Sequence, residues 1–307
     1  MAFHEITGII PLLPVSAEQF PVFLLPDITC DGIGLLHLSR QLQAARGNKS
    51  QIYIWHDPHP SLAGKSLSTY AEKMRDEIMR LLPAGPCFIS GYSFGGSLIS
   101  VVAQKLIIAG RQVAPYIIDT PTIEDSQAYF KPQNAAASRD LIAIFTYAAS
   151  LACCYALQTI EMPTFTAEEI KNLSQRSIEE QINFLKEFFV RITTANEKLS
   201  LSLNQYADVI SQNLLSLMQH PIDISPQILS KIGLFLSEES LQKYGPSVAK
   251  SWERYCCQGE VNQLASSTHL SLLTDTSNSS IIANKMATYF STYFTPEEMI
   301  IMLQTLD

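Results

Sequence analysis

Ser93 has a glycine two residues away on each side, in Gly91-Tyr92-Ser93-Phe94-Gly95, and this spacing is the chain's clearest sign of chemistry. An apolar run, Cys87-Phe88-Ile89-Ser90, leads into it, and a long apolar segment with helical character, 97–109, follows. Strand, sharp turn and helix in that order force the central serine into a strained backbone conformation, with its hydroxyl exposed at a helix N-terminus. The flanking glycines let strand and helix approach without Cβ clashes. Backbone N–H groups and the dipole at that N-terminus favour a developing negative charge. The pattern predicts a nucleophilic serine, against the plainer possibility of a tight glycine turn carrying an inert one.

A serine hydroxyl is a weak nucleophile and needs a base to take its proton and a carboxylate to orient that base. Asp119 and His269 follow Ser93 in the order acid, then histidine. Asp119 ends a predicted strand over 114–118, and His269 lies just beyond sheet-like sequence at 260–265. His4, His37, His56 and His59 all precede the serine, which leaves His220, just before Pro221, as the rival base. Glu238, in Ser237-Glu238-Glu239-Ser240, is the rival acid, although a solvated turn is the plainer reading of that stretch.

The elements that must position these groups alternate. Strands are predicted at 21–26, 51–55, 87–90, 114–118 and 231–236, and helices at 35–45, 66–82, 97–109 and 278–290, with a short last helix from Pro296. Short buried strands alternating with helices imply an α/β fold, a mainly parallel sheet covered on both faces, whose reacting groups collect at the carboxyl ends of strands. Between 120 and 220 the alternation stops and the sequence reads as helical, with amphipathic stretches at 178–191 and 199–218. Residues 141–160 carry no charge, long enough to cross a membrane. Thr146, Ser150, Gln158 and Thr159 within it, and the lack of a basic flank, favour a buried or pocket-lining helix, so no membrane contact is expected. The expected organisation is one domain over 1–307 with a helical lid inserted at 120–220.

Composition narrows the function classes. Of 307 residues, 47% are apolar and 16% charged, which excludes a disordered or coiled-coil chain. The formal net charge is −8 and no lysine- or arginine-rich block occurs, so a nucleic-acid partner has no electrostatic footprint. Cys30, Cys87, Cys153, Cys154, Cys256 and Cys257 form no C-x-x-C and no zinc-ligand spacing, and read as free thiols in a reducing compartment. His4 and Glu5 stand where a secretory signal would carry basic residues, so a cytoplasmic location is expected.

Together these residues resemble the thioesterase domains of non-ribosomal peptide and polyketide synthases, which are α/β-hydrolases. Phe23-Leu24-Leu25-Pro26 is similar to the family's approach to its first loop, and Gly91-Tyr92-Ser93-Phe94-Gly95-Gly96 to its elbow. Ile117-Ile118-Asp119-Thr120 resembles its aspartate segment, and Thr268-His269-Leu270-Ser271-Leu272-Leu273 its histidine segment. The resemblance implies a serine thioesterase with Ser93, Asp119 and His269 as triad. Phe94 N–H and Ile28 N–H would form the oxyanion hole, with Asp27 or Thr29 as the second donor if the register slips. It further implies no metal or bound cofactor, and a hydrophobic acyl or peptidyl chain held on the phosphopantetheine of a carrier protein or synthase module. Hydrolysis or cyclisation would release that chain. A carboxylesterase or lipase acting on free esters is the competing enzyme, and a non-catalytic hydrolase fold that binds a ligand or partner is the competing class.

Overall fold

Short apolar runs bounded by proline, glycine and charge become the strands of one sheet. The computed structural model describes residues 8–12, 19–57, 66–157, 159–192, 197–221 and 229–294. In chain order the elements begin β1 (Gly8–Pro11), β2 (Gln19–Leu25), α1 (Leu36–Ala45), β3 (Ser50–His56), α2 (Leu67–Leu81), β4 (Cys87–Tyr92), α3 (Phe94–Ile108) and β5 (Val113–Ile118). Five helices follow, α4 (Ile123–Tyr129), α5 (Ala135–Ala156), α6 (Ala167–Ser174), α7 (Ile178–Ile192) and α8 (Glu197–Gln219). The chain then forms β6 (Leu229–Ser237), α9 (Glu238–Tyr244), α10 (Ser247–Trp252), β7 (Cys256–Leu264), α11 (Ser271–Thr274) and α12 (Thr276–Thr292). The short helix expected from Pro296 lies outside the described residues.

These elements fall into two compact units, one comprising 1–57, 67–122 and 221–307, the other 58–66 and 123–220. The first holds the sheet, in the order β1-β3-β2-β4-β5-β6-β7. β1 is antiparallel to β3, and every other pair is parallel. β4 and β5 are buried along their whole length, as central parallel strands covered on both faces must be. One face packs on α1 and α12, where Leu38, Leu42, Ile282, Met286 and Phe290 meet Val22, Leu24, Phe88 and Tyr116. α2 buries Leu67, Tyr70, Ala71, Met74 and Ile78, the stripe that helical spacing predicts.

The second unit is helical. Asn134 caps α5, accepting from Ala136 N and Ala137 N at 3.1 and 3.4 Å, so the helix starts ahead of the uncharged run and ends at Ala156 rather than reaching 160. Its length and apolarity would suffice to cross a membrane. Yet Leu141, Phe145, Ala148, Ala149 and Ala152 are fully buried within the unit, Phe145 stacked on Phe189 of α7 at 6.1 Å. Ser138 Oγ donates to Gln181 Oε1 at 2.8 Å, a polar tie between the same two helices.

All six cysteines are free thiols. Cys154 and Cys257 are exposed, whereas the other four are buried.

The elbow shows why its glycines are required. A Cβ on Gly91 would overlap the Gly95 carbonyl, and one on Gly95 would overlap the carbonyl oxygens of Leu25 and Pro26. The obstructing atoms are backbone and cannot swing aside. Gly91→Ala is therefore expected to destabilise the fold by about 3 kcal/mol or more, read as a lowered urea midpoint, because strand and helix must separate to admit one methyl.

Candidate active site

Sheet register brings four strand ends level. Leu25 of β2 pairs with Gly91 of β4, Tyr92 with Ile118 of β5, and Ile118 with Phe235 of β6. The next residues along these strands, Pro26 and Asp27, Ser93, Asp119 and Ser237, therefore share one carboxyl edge. Backbone bonds extend the ladder past the strands, from Ser93 N to Ile118 O at 3.1 Å and from Asp119 N to Phe235 O at 2.7 Å.

Ser93 adopts φ 55° and ψ −124°, outside the regions L-residues favour, and heads α3. The register-locked sheet on one side and the helix on the other hold that strain. Thr120 Oγ1 lies 2.8 Å from Ser93 O and 3.0 Å from Ile118 O, bracing the turn from β5. Trp252 Nε1 in turn donates to Thr120 O at 2.9 Å. Phe94 is the first residue of α3, so its N–H belongs to the first turn, which has no intrahelical acceptor.

Asp119 also has a positive φ, 52°, and its side chain is wholly buried. Its carboxylate accepts three hydrogen bonds, from Ser237 N to Oδ1 at 2.6 Å, from Ser237 Oγ to Oδ2 at 2.8 Å, and from His269 Nδ1 to Oδ2 at 2.7 Å. Burial pushes its pKa up, but the bond and charge of His269 and the two Ser237 donors outweigh it, and the net shift is downward. A carboxylate only accepts, so Nδ1 carries the ring proton and Nε2 is left as an acceptor.

His269 follows β7, and its side chain is 38% exposed. The ring stacks on Tyr92 at 4.7 Å and 19°, and the Tyr92 hydroxyl donates to His269 O at 2.8 Å. Glu239 Oε2 accepts from His269 N at 2.7 Å. Tyr92 is the residue before Ser93, so the histidine is gripped by the neighbour of the serine. Among the described residues no hydrogen bond joins the Ser93 hydroxyl to the ring; such bonds commonly tighten only when substrate is present.

Glu238 does not meet the histidine ring. Its Oε2 accepts from Ser266 N at 2.5 Å. The expected solvated turn is instead the first turn of α9, where Glu238 and Glu239 hold the loop that carries His269 and Ser237 Oγ caps the helix through Ser240 N at 3.0 Å. His220, the other rival base, belongs to the helical unit, where its carbonyl accepts from Gln127 Nε2 at 2.9 Å.

The first loop is tightly tied. Asp27 Oδ1 accepts from Thr29 N and Thr29 Oγ1 at 2.9 and 2.5 Å, and Cys30 N donates to Asp27 O at 3.0 Å, with Ile28 inside the turn so closed. Gly32 N donates to His56 Nδ1 at 3.1 Å, and Tyr70 OH to Cys30 Sγ at 3.0 Å. Burial raises the Asp27 pKa, the Thr29 bonds lower it, the Asp31 charge raises it and the His269 charge lowers it; the net is upward.

The structure thus brings Asp119 and His269 into direct contact, and Ser93, Phe94 and the loop bearing Ile28 to the same edge. Sequence reasoning did not anticipate Ser237, Thr120 and Tyr92 as supports.

No family model matches the sequence, and no curated protein matches it. Solved structures do. The chain is similar to the four-domain nonribosomal peptide synthetase AB3403, in its holo form bound to AMP and glycine, at 17% identity over 92% of this chain and TM-score 0.63. It spans only 20% of that synthetase's length. The Vlm2 thioesterase domain bound with a dodecadepsipeptide matches at 16% identity, over 92% of this chain and 99% of that one, TM-score 0.59. The NocB thioesterase domain, in covalent complex with a fluorophosphonate nocardicin G analog, matches at 12% identity over 91% and 99%, TM-score 0.57. At these identities the likeness is one of fold. The protein has the α/β-hydrolase fold, in the form seen in thioesterase domains of nonribosomal peptide synthesis.

Proposed function

We propose that this protein is a serine thioesterase that releases an acyl, peptidyl or polyketide chain from the phosphopantetheine arm of a carrier protein or synthase module. One observation carries the reading: a buried, ionised Asp119 holds the His269 ring by Nδ1 beside a strained Ser93 elbow. His269 Nε2 takes the Ser93 Oγ proton as Oγ bonds to the thioester carbon, and the carbonyl oxygen becomes an oxyanion held by the N–H groups of Phe94 and Ile28. Collapse breaks the C–S bond, and the imidazolium returns the proton to the departing thiolate. Water then attacks the acyl-serine, or an amine or hydroxyl of the chain itself does, giving a cyclic product.

Intact-protein mass spectrometry after incubation with acyl-phosphopantetheine thioesters tests this. An acyl adduct or turnover in the wild type, with neither in Ser93→Ala, supports it. Acylation from simple esters but not from thioesters assigns the protein to the esterases. Acylation from neither makes it a binding protein.

Tyr92→Phe keeps the ring stacked on His269 and removes only the bond to its carbonyl. Steady-state kinetics should show kcat/KM reduced about three- to tenfold, carried in kcat, as the loss of one net hydrogen bond predicts.

A further inference from the structure

The first loop satisfies much of its own backbone. Thr29 N–H bonds to Asp27 Oδ1, Cys30 N–H to Asp27 O, Asp31 N–H to Thr29 Oγ1 at 3.2 Å and Ile33 N–H to Asp31 Oδ1 at 2.9 Å. The Gly32 N–H points outward instead, to Nδ1 of His56 at 3.1 Å. His56 is the last residue of β3 and is fully buried. Gly32 is pressed onto that strand: a Cβ there would lie 2.5 Å from Ile54 Cγ2 and 2.8 Å from Trp55 O. Two more bonds fasten the loop to the same corner, Asp57 N to Cys30 O at 2.9 Å and Tyr70 OH to Cys30 Sγ at 3.0 Å. Trp55 Nε1 donates to that hydroxyl at 3.0 Å. Cys30 is held at φ 55°, costly for a residue with a side chain, and such strain persists only where neighbours enforce it.

The Gly32 N–H needs a lone pair on Nδ1, so the ring proton of His56 sits on Nε2. That is the reverse of His269, whose Nδ1 carries the proton toward Asp119. Asp31 Oδ1 also lies 3.3 Å from His56 Nδ1, but it faces a bare nitrogen there and takes its hydrogen from Ile33 N. We infer that His56 is a positioning residue: by accepting from Gly32 it fixes the first loop to the end of β3 and thereby sets the Ile28 N–H where the oxyanion forms. β3 lies between β1 and β2, so its end is held from both sides. The path to Ile28 is short. Asp31, next to Gly32, ties back to Thr29 Oγ1, and Thr29 closes on Asp27 around Ile28. His56 acts through the loop and not on substrate, and this role rests on Ile28 as an oxyanion donor.

A fluorophosphonate probe tests the role without presuming a thioester. Ser93 Oγ bonds to phosphorus, fluoride leaves, the Oγ proton passes to His269, and the phosphoryl oxygen occupies the oxyanion hole. His56→Leu removes the acceptor at similar volume, whereas His56→Asn offers its amide oxygen at the branch where Nδ1 stood. Labelling followed by intact mass should be about ten- to a hundredfold slower in His56→Leu, with the loss in the maximal rate and not in probe affinity. His56→Asn should restore the rate to within about threefold of wild type, because the one bond is remade. Should His56→Leu not fold, His56→Gln, whose oxygen sits one carbon too far out, carries the same expectation. Ring ¹⁵N NMR should show Nδ1 of His56 bare in the wild type, the resonance assigned by its absence from His56→Asn. Labelling of His56→Leu at the wild-type rate overturns the inference, as does slow labelling that His56→Asn fails to restore, or a proton found on Nδ1. The expected pattern in a protein that turns over no thioester leaves the role standing and removes the proposed function instead. A wild type that the probe does not label removes the serine mechanism itself, and this role with it.

Discussion

Ser93→Ala is expected to form no acyl adduct and to lose about 10⁴-fold or more in kcat/KM on acyl-pantetheine thioesters, or roughly 5 kcal/mol of transition-state stabilisation. The size follows from the mechanism. Without Oγ there is no covalent route, and only substrate binding and the oxyanion donors remain to assist water. The change should be silent in stability, because the hydroxyl makes no hydrogen bond among the described residues and alanine meets the same φ of 55° that serine does. Equal urea midpoints with extinguished acylation place the loss in chemistry. Retention of more than a tenth of wild-type turnover would mean that the nucleophile lies elsewhere.

Asp119→Asn should reduce turnover about 10³- to 10⁴-fold, whereas Glu238→Gln should stay within about threefold of wild type. An amide at 119 can offer its N–H₂ to His269 Nδ1, which moves the ring proton to Nε2 and removes the acceptor that Ser93 needs. It also leaves one fewer oxygen for the two Ser237 donors. Glutamine at 238 still accepts from Ser266 N and keeps the histidine loop in place. The pair therefore separates the two acids that follow Ser93. Stability supplies a second readout. The folded-state pKa of Asp119 is depressed, so its contribution is fully present above the unfolded value of about 3.9 and is lost as pH falls through the lower folded value. The stability gap between wild type and Asp119→Asn should narrow as pH drops below about 4, measured by urea unfolding across that window.

The main architecture could be read from the sequence because its signals are local. The strands at β2, β4 and β5 are apolar runs closed by proline, glycine or charge, and α2 shows its buried stripe in the spacing of Met74 and Ile78. β1 went unread because Gly8-Ile9-Ile10-Pro11 is too short, and too closely bounded by glycine and proline, to show an alternation; it runs antiparallel to β3. The helix expected from 97 starts at Phe94, because Gly95 and Gly96 form the first turn of α3, where contact with β2 and Thr120 forbids larger side chains. α9 and α10 are too short to show a period and are set by the Ser237 cap and by burial of Trp252. The site follows the same division. Ser93, Asp119 and His269 stood out by type and order, but the grip of Ser237 on Asp119 depends on β6 lying beside β5, which no spacing along the chain encodes.

Tyr92 gives the site a mechanical property. His269 hangs from a loop that follows β7, a strand at the sheet's rim with alternating residues open to solvent, the sort of edge that flexes most. Its ring and carbonyl are nevertheless clasped by a side chain one peptide away from Ser93, at the end of a strand buried throughout. The gap between serine and imidazole is thus referenced to the rigid centre of the sheet. Breathing of the rim, or a lengthened loop after β7 in an engineered variant, reaches that gap only by first prising the ring off the phenol.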